Sequence, residues 1–158
     1  MKKVLFALFI YTPDFDEGVD DDIRRVYERK EDAEEFVRKL NERYPIELLN
    51  DDSLRDEYYR LTEKYFEVDP VYNEIDDRIN EVYQRYSKID KNFVWNEELN
   101  SRYDEETRED QERLGQLEKT GPIDYAIKNA RDPEKMIKYI TVENSSYRGA
   151  RIEEIKLF

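Results

Sequence analysis

Histidine and cysteine are both missing from this 158-residue chain. Disulfides, thiolate chemistry, serine or cysteine triads and the usual zinc sites therefore have no residues to be built from. Glycine is nearly as scarce, occurring only at positions 18, 115, 121 and 149. Neither a Rossmann fingerprint nor a Walker loop can be written with glycines so spaced, which removes the common routes to nucleotide chemistry. Long apolar runs are lacking too. The longest, Val4–Tyr11, falls well short of the roughly 20 residues of a membrane span, and it has no small-residue cleavage site of the signal-peptide kind. An acidic surface is also unfavourable beside anionic lipid. The expectation is a cytoplasmic protein with no membrane contact and no cofactor.

What the chain has in abundance is charge and tyrosine. Charged residues make up 42% and hydrophobic ones 38%, a balance that would signal disorder in a chain poor in aromatics. With 13 Tyr, 7 Phe and 1 Trp, this chain reads instead as folded around a thin core. Tyrosine suits such a core because its ring buries while its hydroxyl stays wet. The formal net charge of −13 is concentrated in the middle: residues 51–120 hold 21 acids against 11 bases, whereas residues 121–158 hold 6 against 7.

Val4–Tyr11 has the continuous apolar character of a central strand covered on both faces. Thr12–Asp22, with Pro13, Gly18 and a run of acids, reads as loop, and Ile23–Tyr27 as a second strand pairing back on the first. Lys30–Arg43 follows helical period through Ala33, Phe36, Val37 and Leu40, and Pro45 closes it. From Asp52-Ser53 onward, Leu54, Tyr58, Leu61, Tyr65 and Val68 form one narrow apolar stripe. Asp69-Pro70 restarts a helix whose stripe is Tyr72, Ile75, Ile79, Val82, Tyr86 and Ile89. Stripes of this kind predict that these two helices pack as an antiparallel pair. A third helix spans about Asn96 to Lys119; between Tyr103 and Leu114 it has no apolar residue, which predicts a solvent-exposed stretch. Gly121-Pro122 ends the helical region, with room for one short helix over Ile123–Ala130. Met136–Glu143 alternates apolar and polar, and Ala150–Phe158 reads as a terminal strand. The fold class is α+β: a small antiparallel sheet domain from residues 1–50 and 121–158, with a charged arm of antiparallel helices inserted over 51–120.

Carboxylate chemistry needs only two acids at a set separation, and 40 acids guarantee such pairs by chance. Glu154-Ile155-Lys156 resembles the Glu-x-Lys half of a metal-dependent nuclease motif, and Pro13-Asp14 the other half, but their separation in the chain is too long and the surface has the wrong sign for DNA. Strand alternation alone explains the tripeptide. The acidic stretch of residues 14–22 offers Asp14, Asp16 and Asp20 as weak candidates for holding a hard cation. Its glycine falls one position early for an EF-hand, and Arg25 stands where the bidentate glutamate should be, so a solvated turn is the simpler reading. No enzymatic activity is expected.

Six acids fall within nine residues on the third helix: Asp104, Glu105, Glu106, Glu109, Asp110 and Glu112, opposed by Arg108. Carboxylates four residues apart on a helix stand about 6 Å apart along its axis, a spacing of the same order as phosphates on a nucleic-acid strand. Such a helix can offer a basic groove what nucleic acid offers it, and would not itself bind nucleic acid. The competing reading is a solvated face laced by local pairs with Arg102, Arg108 and Arg113. Tyr59 and Tyr83 fall off the apolar stripes and are candidates for partner contact, since tyrosine is enriched at interfaces.

The acids of 104–112 and of 14–22, on a small chain without catalytic motifs, resemble small acidic phage-encoded inhibitors of the anti-restriction and anti-CRISPR type. The segment from Val26 to Phe36 is similar to the strand-to-helix opening of many small phage and plasmid proteins. The resemblance implies a non-enzymatic inhibitor whose partner is a basic nucleic-acid-binding protein such as a defence nuclease. The interspersed Lys and Arg depart from the purest DNA mimics. The alternative is a structural or regulatory phage protein that forms a homodimer through its helical arm.

Overall fold

The computed structural model describes residues 3–14 and 18–157, with side chains for all of these except 14–24. The chain divides into two compact units, one made of residues 1–55 and 134–158, the other of residues 56–133 inserted between them.

The first unit is built on a three-stranded antiparallel sheet. Strand β1 (Lys3–Asp14) lies between β2 (Gly18–Tyr27) and β3 (Ala150–Leu157). The apolar run therefore takes the central position, with Ala7 facing Val26 on one side and Glu153 on the other. Ala7 and Leu8 point to opposite faces and both are fully buried, as a strand covered on two sides requires. The expected loop over Thr12–Asp22 is mostly ladder: Thr12 pairs with Asp20 and Asp14 with Gly18, so the hairpin continues to the edge of the described residues. Backbone pairing tolerates the acids because each carboxylate-bearing residue still supplies its N–H and C=O.

Helix α1 (Lys30–Arg43) lies against this sheet, with Ala33 fully buried and the Phe36 ring 6.4 Å from that of Tyr27. Helix α2 (Asp52–Val68) follows a 3-10 turn and carries the chain into the second unit. Residues Pro133–Glu143 form a helix, α5, although their apolar-polar alternation reads as extended. Over so short a run the two periods coincide, and the buried set Met136, Tyr139, Ile140 and Val142 satisfies the helical one. Pro133 at the start supplies a preset φ and lacks only an N–H that the first turn leaves unbonded anyway. Arg148 closes the far end, its guanidinium donating to the carbonyls of Val142, Glu143 and Ser145. Gly149 then adopts φ +122°, and the chain enters β3 with Tyr11 N–H donating to the Gly149 carbonyl at 2.8 Å.

The second unit contains most of α2 and all of α3 (Pro70–Ile89) and α4 (Glu97–Asn129). Asp69 alone separates α2 from α3, and its carboxylate caps α3 by accepting from Tyr72 N–H at 2.8 Å. A single residue cannot reverse the chain into a tight helical hairpin, which takes two to five. The expected α2–α3 pair is accordingly not the one that forms. Helix α3 packs along α4 instead, across a connection that holds the 3-10 turn Phe93–Trp95. Nor does Gly121-Pro122 end the helical region: α4 runs through both residues to Asn129. Pro122 is buried there, and tertiary packing overrides a local cost of about 3 kcal/mol for proline in a helix.

Candidate functional site

The acidic segment nominated from sequence lies in the first half of α4, so its geometry depends on how that helix is held. Asn96 caps the N-terminus, its side-chain oxygen accepting from Leu99 N–H at 3.3 Å, and Glu97 and Glu98 follow in the first turn where the helix dipole favours acids. The absence of apolar residues between Tyr103 and Leu114 does not leave this stretch free. Thr107 is 1% exposed, its hydroxyl donating to the Tyr103 carbonyl at 2.8 Å and accepting from Gln111 at 2.9 Å. A threonine that returns its hydroxyl to its own helix behaves as a small apolar filler, which a stripe of large hydrophobic residues does not reveal.

Two of the six acids flank Thr107 on this packed face. Asp110 receives a two-pronged contact from Arg78 of α3, at 2.8 and 3.2 Å. Glu106 is bound by Arg85 through its Oε1 and accepts from the Tyr86 hydroxyl at 3.1 Å through its Oε2. Further along, the Tyr72 hydroxyl donates to Glu118 at 3.2 Å. Partner numbers fall on α3 as they rise on α4, which is the signature of antiparallel packing. The hydrogen bond from Arg85 holds the Glu106 carboxyl below the usual glutamate range, and that from Arg78 does the same for Asp110. These two acids are structural ties between helices and are not part of an outward array.

Aromatic clusters pin both ends of the helical unit. Near the start of α4, Phe93 is fully buried with its ring 5.1 Å from Tyr83, 5.8 Å from Tyr86 and 5.4 Å from Tyr103. Near its end, the ring of Tyr65 of α2 meets Phe66 edge-on and lies tilted beside Tyr72 and Tyr125. Tyr65 reaches α4 only because position 121 is glycine: a Cβ there would lie 2.2 Å from the Tyr65 ring. Burial raises the hydroxyl pKa of both Tyr65 and Tyr72, and the carboxylates they contact, Asp69 and Glu118, reinforce it.

With those contacts fixing the roll of α4, Asp104, Glu105, Glu109 and Glu112 face outward and are exposed. Among the described residues none of the four enters an ion pair or side-chain hydrogen bond, and Arg108, the base among them, is likewise unpaired. The i,i+4 pairs that would have neutralised this face do not form, although Glu98 and Arg102 pair one turn earlier at 2.8 Å. Glu105 to Glu112 spans about 10 Å of helix axis. The remaining candidates separate. Tyr83, 39% exposed, belongs to the Phe93 cluster, while Tyr59, 49% exposed, has its ring tilted beside that of Tyr58 at 5.6 Å. Trp95, absent from the candidates that the sequence offers, is 85% exposed; its signal is to be the sole tryptophan, placed beside Phe93 and Val94 in the short connection between two helices.

The nuclease-like constellation comes apart. Glu154 pairs opposite Phe6, eight residues from Asp14 along β1, which at about 3.3 Å per residue separates them by about 25 Å. The two halves of the nuclease-like motif therefore do not meet. Of the cation candidates, Asp16 lies outside the described residues, and Asp14 and Asp20 sit on facing strands, each defined by its backbone position alone. Among the described residues, no helix is long and apolar enough to cross a membrane.

The fold is an α+β one in which a small antiparallel sheet accompanies an inserted helical unit. No protein-family model, curated protein sequence or solved structure matches the chain.

Proposed function

We propose that this protein is a non-enzymatic acidic binding protein that occupies a basic, nucleic-acid-binding surface of a partner such as a defence nuclease, and so inhibits it. The observation that carries this reading is the unpaired outward row of Asp104, Glu105, Glu109 and Glu112 on a helix whose other face is locked. Folding has used Glu106 and Asp110 to fix the helix and has left the other four without partners, so their mutual repulsion is retained in the free protein. A basic groove relieves that repulsion on binding, and a rigid helix meets it with little loss of conformational entropy. Electrostatic steering then speeds encounter and sets the preference for basic partners.

The test is association of the full chain with purified nucleases carrying basic clefts, followed across ionic strength. The association rate should fall steeply with added salt, and duplex DNA should compete. Charge reversal of Glu105, Glu109 and Glu112 to lysine should abolish binding with no change in helical content. Undiminished binding after that reversal removes the acidic face from the contact. Tightening with salt, accompanied by formation of a homodimer, would replace the inhibitor reading with self-association.

A further inference from the structure

The connection between α3 and α4 presents an apolar tip that nothing in the fold explains. Trp95 is 85% exposed, Ile89 69% and Val94 45%. Single exposed apolar side chains are ordinary, but three within seven consecutive residues, one of them an almost fully exposed tryptophan, are informative. The tip is also rigid. Phe93, between Ile89 and Trp95 in the chain, is buried among three tyrosine rings. The backbone turn is closed by Phe93 N–H to the Asp90 carbonyl at 3.1 Å, Trp95 N–H to Asn92 at 2.9 Å and Asn96 N–H to Phe93 at 3.0 Å. A side-chain bond from Asn92 N–H to Asp90 at 2.9 Å and the Asn96 cap of α4 complete it. Phe93 is the buried anchor, and its neighbours are held out in a fixed position.

We infer that Trp95, with Ile89 and Val94, is the apolar anchor of the same contact, entering a hydrophobic pocket beside the basic groove of a protein partner. This inference rests on the proposed binding by the acidic face. Charge chooses the occupant: the unit of residues 56–133 carries 21 acids against 12 bases, so a second copy would meet like charge and a basic protein opposite charge. Area supports the combination. Three side chains fall well short of the roughly 800 Å² per partner of a stable interface. The tip and the face from Glu98 to Glu112 are adjacent along the chain, and that face adds about 20 Å of helix. Tryptophan in a desolvated pocket is the commonest kind of residue to dominate such a contact, and a preorganised turn keeps the entropic loss small.

The sole tryptophan also serves as reporter. The full chain is titrated with two peptides of equal charge, an oligolysine and a longer amphipathic lysine–leucine helix with the same number of lysines. Emission of Trp95 and its quenching by acrylamide are followed for the native chain and for the triple reversal E105K/E109K/E112K, and the calorimetric affinity for these two and for Trp95→Ala. The amphipathic peptide should bind about thirtyfold more tightly than oligolysine, shift the emission to the blue and protect it from quencher. Trp95→Ala should remove that thirtyfold advantage and leave oligolysine binding unchanged, whereas the triple reversal should weaken both. Equal affinities for the two peptides, or an amphipathic affinity indifferent to Trp95→Ala while the reversal still acts, overturn the anchor and leave the acidic-face reading standing. If neither peptide binds, or the reversal has no effect, that reading falls and the anchor with it. A homodimer that Trp95→Ala dissociates would make a second copy the occupant and overturn the choice of a basic partner.

Discussion

Gly121→Ala and Gly115→Ala place the same chemical change six residues apart on one helix, and the structure gives them opposite signs. Replacing a helical glycine by alanine ordinarily stabilises by about 1 kcal/mol. At position 115 nothing lies within 4 Å of the added Cβ, so the full gain should appear. At position 121 the Cβ would lie 2.2 Å from Tyr65 Cζ, 2.3 Å from its hydroxyl oxygen and 2.7 Å from Cε2. Ordinary contact begins near 3.4 Å, so the ring must retreat by more than about 1 Å. It has little room to do so, being 5% exposed and flanked by Phe66, Tyr72 and Tyr125. Overpacking of this kind costs about 1–3 kcal/mol. Three atoms of a rigid ring are involved, so the cost belongs at the upper end, and the net loss after the propensity gain is about 2 kcal/mol. The two variants should therefore differ by about 3 kcal/mol. For a cooperative domain of roughly 60–100 residues, each kcal/mol moves Tm by about 4–8 °C, so thermal unfolding followed by circular dichroism resolves the difference easily. In a Tyr65→Ala background the penalty at 121 should vanish, giving a double-mutant cycle for the contact. If Gly121→Ala stabilises as much as Gly115→Ala, Tyr65 does not cross α4 there. The roll of α4, and the outward direction assigned to Glu105, Glu109 and Glu112, would then lose a support.

Three further outcomes are expected. Phe93→Ala empties the centre of a ring cluster and should cost about 3–5 kcal/mol in urea unfolding, with Trp95 emission becoming that of a mobile side chain. Glu106 and Asp110 have lowered pKa values, so their stabilisation is complete above the ordinary values of 4.5 and 3.8 and is lost as pH falls through the lower native ones; denaturation midpoints should drop below about pH 4.5, and less so in the variant E106Q/D110N. Tyr65 and Tyr72 have raised values, which reverses the sign: stability is retained below the ordinary pKa of 10.0 and declines as pH rises beyond it, and phenolate absorbance should lag in the native chain relative to the unfolded one.

Much of the local structure was legible because single residues carried it. Lys30–Arg43 forms a helix with the bounds its stripe of Ala33, Phe36, Val37 and Leu40 implies, and Asp69-Pro70 starts α3 as a cap followed by proline should. The apolar run Val4–Tyr11 lies at the centre of its sheet. Misreadings arose where a residue's role depends on a distant neighbour. Thr107 looks polar until its hydroxyl is returned to Tyr103, and Glu106 looks like surface charge until Arg85 faces it. Met136–Val142 could satisfy either period until burial chose the helix.

By itself, the sequence determined which segments can be strand or helix and where acids accumulate, since caps, prolines and hydrophobic period act over a few residues. Only tertiary structure decided that α3 would pair with α4, that Gly121 would admit Tyr65 and carry the helix past Pro122, and that four of the six acids would face outward. Those outcomes depend on the roll of one helix against another. That angle is set by side-chain volumes and charge pairs far apart in the chain, which local propensity does not encode.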